Sequence, residues 1–156
     1  MKKIVSALLS LIFLFSINVN AEEKLTIEKQ LVGIVGAISG TVKTETRELK
    51  AGDQIYLNET IYAGPGSGTQ ILLLDQSTFT VGEDSEVVMD TFVFDPETND
   101  GKIVASVKQG SLKVISGLIS KKNPDSLTVE VPEGTLGSRG TEFQTIVSKG
   151  KTDTLL

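Results

Sequence analysis

Arg139-Gly140-Thr141 is the sharpest short motif in the sequence, and two chemistries fit it. Arg139 could grip a partner's carboxylate, or another anion, through its planar five-donor fork. Alternatively, Gly140 permits a tight backbone position while Arg139 bonds neighbouring carbonyls or the carboxylate of Asp75. A lone arginine beside a glycine ordinarily serves local architecture. A binding role for Arg139, Gly140 and Thr141 is therefore the second expectation. Asp95 to Gly101 reads Asp-Pro-Glu-Thr-Asn-Asp-Gly, with oxygen donors on Asp95, Glu97, Asn99 and Asp100. These suggest a calcium loop, but the glycine falls at the seventh place rather than the sixth, and no glutamate follows at the right distance. A hairpin turn uses the same residues, and no metal is expected.

Other chemistries are removed by what is missing. The 156 residues include no histidine, cysteine or tryptophan. Zinc sites built on Cys or His are excluded, as are catalytic triads with a histidine base. Gly64 to Gly68 has no Lys-Ser or Lys-Thr after it, so it is not a phosphate loop. Gly150-Lys151-Thr152 has that ending but Thr145 stands where the first glycine belongs. No Gly-x-Ser-x-Gly elbow occurs, and the carboxylates are scattered over turns. The aromatic residues beyond the first segment are Tyr56, Tyr62, Phe79, Phe92, Phe94 and Phe143, most of them placed where a β core needs bulk. The chain reads as a binding module rather than an enzyme, with no cofactor. Its 20 acidic and 15 basic residues give a net charge of −5, which argues against a nucleic-acid partner.

The elements that must position these residues begin after an N-terminal leader. Lys2 and Lys3 precede an apolar run from Ile4 to Ile17, and small or modest residues precede a cut after Ala21. That is the layout of a secretory signal peptide over 1–21. The apolar run, about 14 residues, falls short of the roughly 20 needed to span a bilayer. Export to the periplasm or cell surface is expected, with no later segment apolar enough to hold the chain in a membrane. Residues 22–32 form a lead-in and 33–156 a single domain.

Within that domain the pattern is all-β. The 15 glycines all fall after residue 32, an enrichment over the average of about 7%. Prolines 65, 96, 124 and 132 separate short runs rich in Val, Ile, Thr and Leu, and no helical apolar period persists. Expected strands cover 32–38, 41–44, 54–57, 60–63, 70–74, 78–81, 87–94, 102–108, 111–115, 127–131 and 141–147, with 152–156 a further candidate. Val32 to Ile38 is apolar on both faces and reads as a central strand. Gln109-Gly110 reads as the break between two strands. Thr69–Asp75 faintly echoes Val104–Val114, as repeated hairpins would. Short antiparallel strands and hairpins in a single compact domain leave a sandwich, a roll or a partial β-solenoid open. Alternation places Val35, Ile71, Leu73, Val107, Leu112, Val129 and Phe143 in the core.

The order of the punctuation points resembles the FecR-domain family, named for a periplasmic regulator of ferric citrate uptake. Five blocks from about Gly33 to Val147 match: Ile34-Val35-Gly36-Ala37-Ile38-Ser39-Gly40-Thr41-Val42; Leu49-Lys50-Ala51-Gly52-Asp53-Gln54-Ile55 with Thr60-Ile61-Tyr62-Ala63; Gly66 to Gly82; Val107 to Val114; and Val129-Glu130-Val131-Pro132 with Gly137-Ser138-Arg139-Gly140-Thr141-Glu142-Phe143. Two departures stand out. The family's Asp-Gly-Ser turn is Asp75-Gln76-Ser77 here, so Gln76 must avoid or tolerate a positive φ. The chain also stops at Thr154-Leu155-Leu156, in mid-strand, as an early closure of the fold or a truncation. The resemblance implies a protein partner in the envelope, such as a TonB-dependent outer-membrane receptor whose state is relayed inward to a sigma factor. With a signal beginning at Met1, this chain is expected to keep the contact role without relaying it across the membrane itself. The rival expectation is a structural or adhesive β-domain of a longer cell-surface protein.

Export should remove residues 1–21. Mass spectrometry of the periplasmic fraction should find an N-terminus at Glu22, and full-length chain held in the membrane would overturn the assignment.

Overall fold

The computed structural model describes residues 28–137, 142–148 and 151–156. The leader at 1–21, the first part of the lead-in and Arg139-Gly140-Thr141 lie outside the described residues.

Strand follows strand as the glycine and proline spacing requires. They are β1 (Leu31–Ser39), β2 (Val42–Lys43), β3 (Gln54–Tyr56), β4 (Thr60–Ala63), β5 (Gly68–Leu73), β6 (Thr78–Val81), β7 (Ser85–Phe94) and β8 (Gly101–Ile115). One helical turn, α1 (Leu118–Lys122), and a 3-10 turn at Pro124–Ser126 precede β9 (Leu127–Val131), β10 (Gly134–Gly137), β11 (Glu142–Ser148) and β12 (Lys151–Leu155). The fold is all-β, one sheet curled into a half-barrel. Its main path runs β2-β4-β7-β8-β6-β5-β1-β3. Strands β9 and β11 both pair with β8, and β10 and β12 pair with them in turn. Val35, Ile71, Leu73, Val107, Leu112, Val129 and Phe143 are all buried, as alternation requires, in one cluster with Phe79, Ile55, Ile61 and Met89.

Four details differ from the sequence reading. Val32 to Ile38 belongs to β1, which is central as expected, between β5 and the short β3, but it turns Val32 and Val35 inward while Ile34 faces out. Its unbroken apolar run comes from small residues at Gly33, Gly36 and Ala37 and a register shift between Val35 and Ala37, not from burial on both faces. The residues around Gln109-Gly110 do not separate two strands: β8 is continuous for 15 residues, so the echo of Thr69–Asp75 is not a repeated hairpin. The strands are not all antiparallel either, since β9 runs parallel to β8 with Ile103 opposite Leu127. A parallel partner needs a crossover, and α1 with the 3-10 turn provides it. Finally, β10 and α1 were not foreseen. α1 spans 5 residues, too few to show an apolar period.

Continuity of β8 depends on Gly110. Its φ is +83°, in the left-handed region that suits glycine. A Cβ there would lie 2.4 Å from the Ser85 Cα. Ser85 Oγ also accepts from the Ser111 N–H at 2.9 Å, locking the two strands at this point. Gly110→Ala combines a left-handed penalty with a backbone clash and should cost more than about 2 kcal/mol. Urea unfolding measures it, and a loss below about 0.5 kcal/mol would show that the crossing tolerates a side chain.

Candidate functional site

The β5–β6 hairpin holds the best-defined polar cluster. Asp75 is fully buried, and its carboxylate accepts from the Ser77 N–H at 3.0 Å, the Ser77 hydroxyl at 2.8 Å and the Ile119 N–H at 3.4 Å. The Asp75 carbonyl accepts from the Leu118 N–H at 2.7 Å, and Ser77 Oγ from the Gly117 N–H at 3.0 Å. All these donors come from the turn itself or from the start of α1, so the cluster is architectural. Gln76 tolerates the positive φ, at +69°. The pairing of Asp75 with Arg139 falls on the motif outside the described residues. The chain's other arginine, Arg47, uses its guanidinium to pair with Glu59 at 3.1 Å and to donate to the Gln54 carbonyl.

The loop between β7 and β8 is a hairpin turn in its hydrogen bonding. The Asp95 carboxylate accepts from the Glu97 N–H at 2.9 Å, and this bond holds its pKa below the ordinary value. Asn99 takes φ +58°. Lys122, from α1, places its ammonium 2.7 Å from the Asp100 carboxylate and 2.8 Å from the Thr98 carbonyl. That hydrogen bond is the main cause of the lowered pKa of Asp100. The positive charge at this loop is thus supplied by lysine. Asp95, Glu97, Asn99 and Asp100 serve the turn, and no group of three or more acidic, His or Cys side chains among the described residues is arranged to hold a metal.

The feature most suited to recognition is the outer face formed by β1, β5, β6 and β8. Ile34 stands opposite Leu72, Leu72 opposite Thr78, and Thr78 opposite Ile115. Leu74 continues the row beyond Leu72. These aliphatic side chains are 40%, 44%, 40% and 48% exposed for Ile34, Leu72, Ile115 and Leu74 respectively. Isolated exposed leucines are ordinary, but a row shared between neighbouring strands forms a patch of the kind that marks interaction surfaces. Sequence reasoning missed it. The signal was the triplet Leu72-Leu73-Leu74: if the strand covers the core with Leu73 alone, its neighbours must face outward.

The FecR protein family model matches residues 59–156, from just before β4 to the end of β12. The motif resemblance begins earlier, at about Gly33. No curated protein and no solved structure matches the chain.

Asp75→Asn tests the architectural role of the polar cluster. An amide can accept on one side only, so its NH2 would face either the Ser77 N–H or the Ile119 N–H. Leaving such a buried donor unmet should cost about 1–3 kcal/mol in denaturant unfolding. An unchanged midpoint would remove Asp75 from the framework of the fold.

Proposed function

The chain belongs to the FecR protein family, and on that premise we propose that it is an exported, non-catalytic module that binds a protein partner in the cell envelope. The observation that carries this reading is the aliphatic row Ile34, Leu72, Leu74 and Ile115 on the outer face of the sheet. Exposed aliphatic surface weakens solubility unless a partner covers it, and the fold's interior has its own separate core. The family's link to envelope signalling supports a protein rather than a small molecule as the occupant. The charged n-region and apolar run of residues 1–21 support export, and the lack of histidine and cysteine supports a role without catalysis. No helix among the described residues is long and apolar enough to cross a membrane. An outer-membrane receptor is the partner this reading favours.

Affinity capture from an envelope extract tests it. The native protein should enrich one envelope protein, while Leu72→Ser/Leu74→Ser should lower recovery at least tenfold, about 1.4 kcal/mol or more, at an unchanged melting midpoint. Equal recovery by both proteins, or enrichment by neither, would sink the proposal. Recovery of the protein in the cytosolic fraction would sink the export component alone.

A further inference from the structure

The outer face on the other side of β8 presents a different row. Lys43 on β2 stands opposite Tyr62 on β4, Tyr62 opposite Glu86 on β7, and Glu86 opposite Gln109 on β8. Neighbouring strands lie about 4.8 Å apart, so the Lys43 and Glu86 backbones are about 10 Å apart with the tyrosine ring between them. Among the described residues, no hydrogen bond or ion pair engages the Lys43 ammonium, the Tyr62 hydroxyl or the Glu86 carboxylate. All four side chains line an open cleft of about 470 Å³. Pro65 walls it, and Asp84, held at φ +49°, adds a second carboxylate to the lining.

We propose that this cleft binds a short free peptide of two or three residues. Its ammonium would meet Glu86 and Asp84, its carboxylate Lys43, and its body the ring of Tyr62. The charges decide the class of ligand. An anion would meet two carboxylates against one lysine, and a simple cation would leave Lys43 facing it. A neutral sugar would leave both ends unmatched. A ligand with opposite charges at its two ends satisfies the whole row. Its length also fits, since two or three extended residues span about 7–11 Å. Gln109, at the end of the row, offers both an amide donor and an acceptor to a peptide group.

Calorimetric titration with trialanine, N-acetyl-trialanine and trialanine amide tests the site. Trialanine should bind saturably, and blocking either end should weaken binding at least tenfold. Glu86→Gln should narrow the difference between the free and acetylated peptides, with Asp84 left as the one carboxylate at that end. Lys43→Gln should abolish the difference between the acid and the amide. Both positions lie outside the core, so the melting midpoint should be unchanged. If a variant fails to fold, the three titrations of the native protein still decide. No saturable binding of trialanine, or equal affinity for the blocked peptides, overturns the proposal.

Discussion

The fold depends on a change of phase along β8. In the first part of the strand the core-facing residues are Ile103, Ala105 and Val107. In the second part they are Leu112 and Val114. Strict alternation from Val107 would send 109, 111 and 113 inward and expose Leu112 and Val114. An extra residue between Val107 and Gln109 in the pairing with β7 and the left-handed Gly110 reset the count. Bulges are the standard way for a strand to bend and re-aim its side chains. The reset lets one strand serve both halves of the half-barrel, with β7 and β9 beside its first part and β6 and β11 beside its second.

That arrangement creates a second requirement. After Ile115 the chain must travel back to place β9 parallel to the start of β8. The return path is α1 and the 3-10 turn, and its start is fastened to the β5–β6 turn. Gly117 is the point of closest approach: a Cβ there would lie 2.3 Å from both the Asp75 carbonyl oxygen and the Ser77 nitrogen. Asp75 and Ser77 then satisfy the donors of Gly117, Leu118 and Ile119. Five residues of helix cannot hold their own shape in water, so the buried carboxylate and hydroxyl define where α1 begins. The Asp75-Gln76-Ser77 turn is therefore a bracket for the crossover.

What could be read in the sequence was what depends on near neighbours. The strands flanked by glycine or proline turns, the inward set from Val35 to Phe143 and the hairpin chemistry of Asp95 to Asp100 follow from local alternation and turn preference. Three features escaped because their causes are distant in the chain. Gly110 resembles a turn glycine, and only the approach of Ser85 explains why it sits within a strand. Leu127, Val129 and Val131 alternate alike in parallel and antiparallel pairs, so the direction of β9 was hidden. The outward row of Ile34, Leu72 and Ile115 comes from the pairing register, which joins residues that no sequence window brings together. Among the described residues the partners of Asp75 come from its own turn and from α1, and Arg139 lies outside them.

The edges of this sheet offer little room for recognition through the backbone. Adding a partner strand requires several free backbone groups along an exposed edge. Among the described residues, β3 is 3 residues long and β10 is 4, while the 2 residues of β2 are already bridged on their outer side, Lys43 to Glu48. The longer β12 carries Lys151 and Asp153, paired at 3.4 Å, and charges on an edge strand discourage further pairing. Short or charged edges restrict backbone-directed association, including self-association through the aliphatic row's own strands. Specific contact then depends on side chains that stand out from the sheet, and these differ between its two parts. Beside β1 and β5 they are aliphatic, suited to burial under another protein. Beside β2, β4 and β7 they alternate in charge around a tyrosine, suited to a ligand with separated charges. The strand that joins the two parts thus divides the surface by chemistry while holding both over one core.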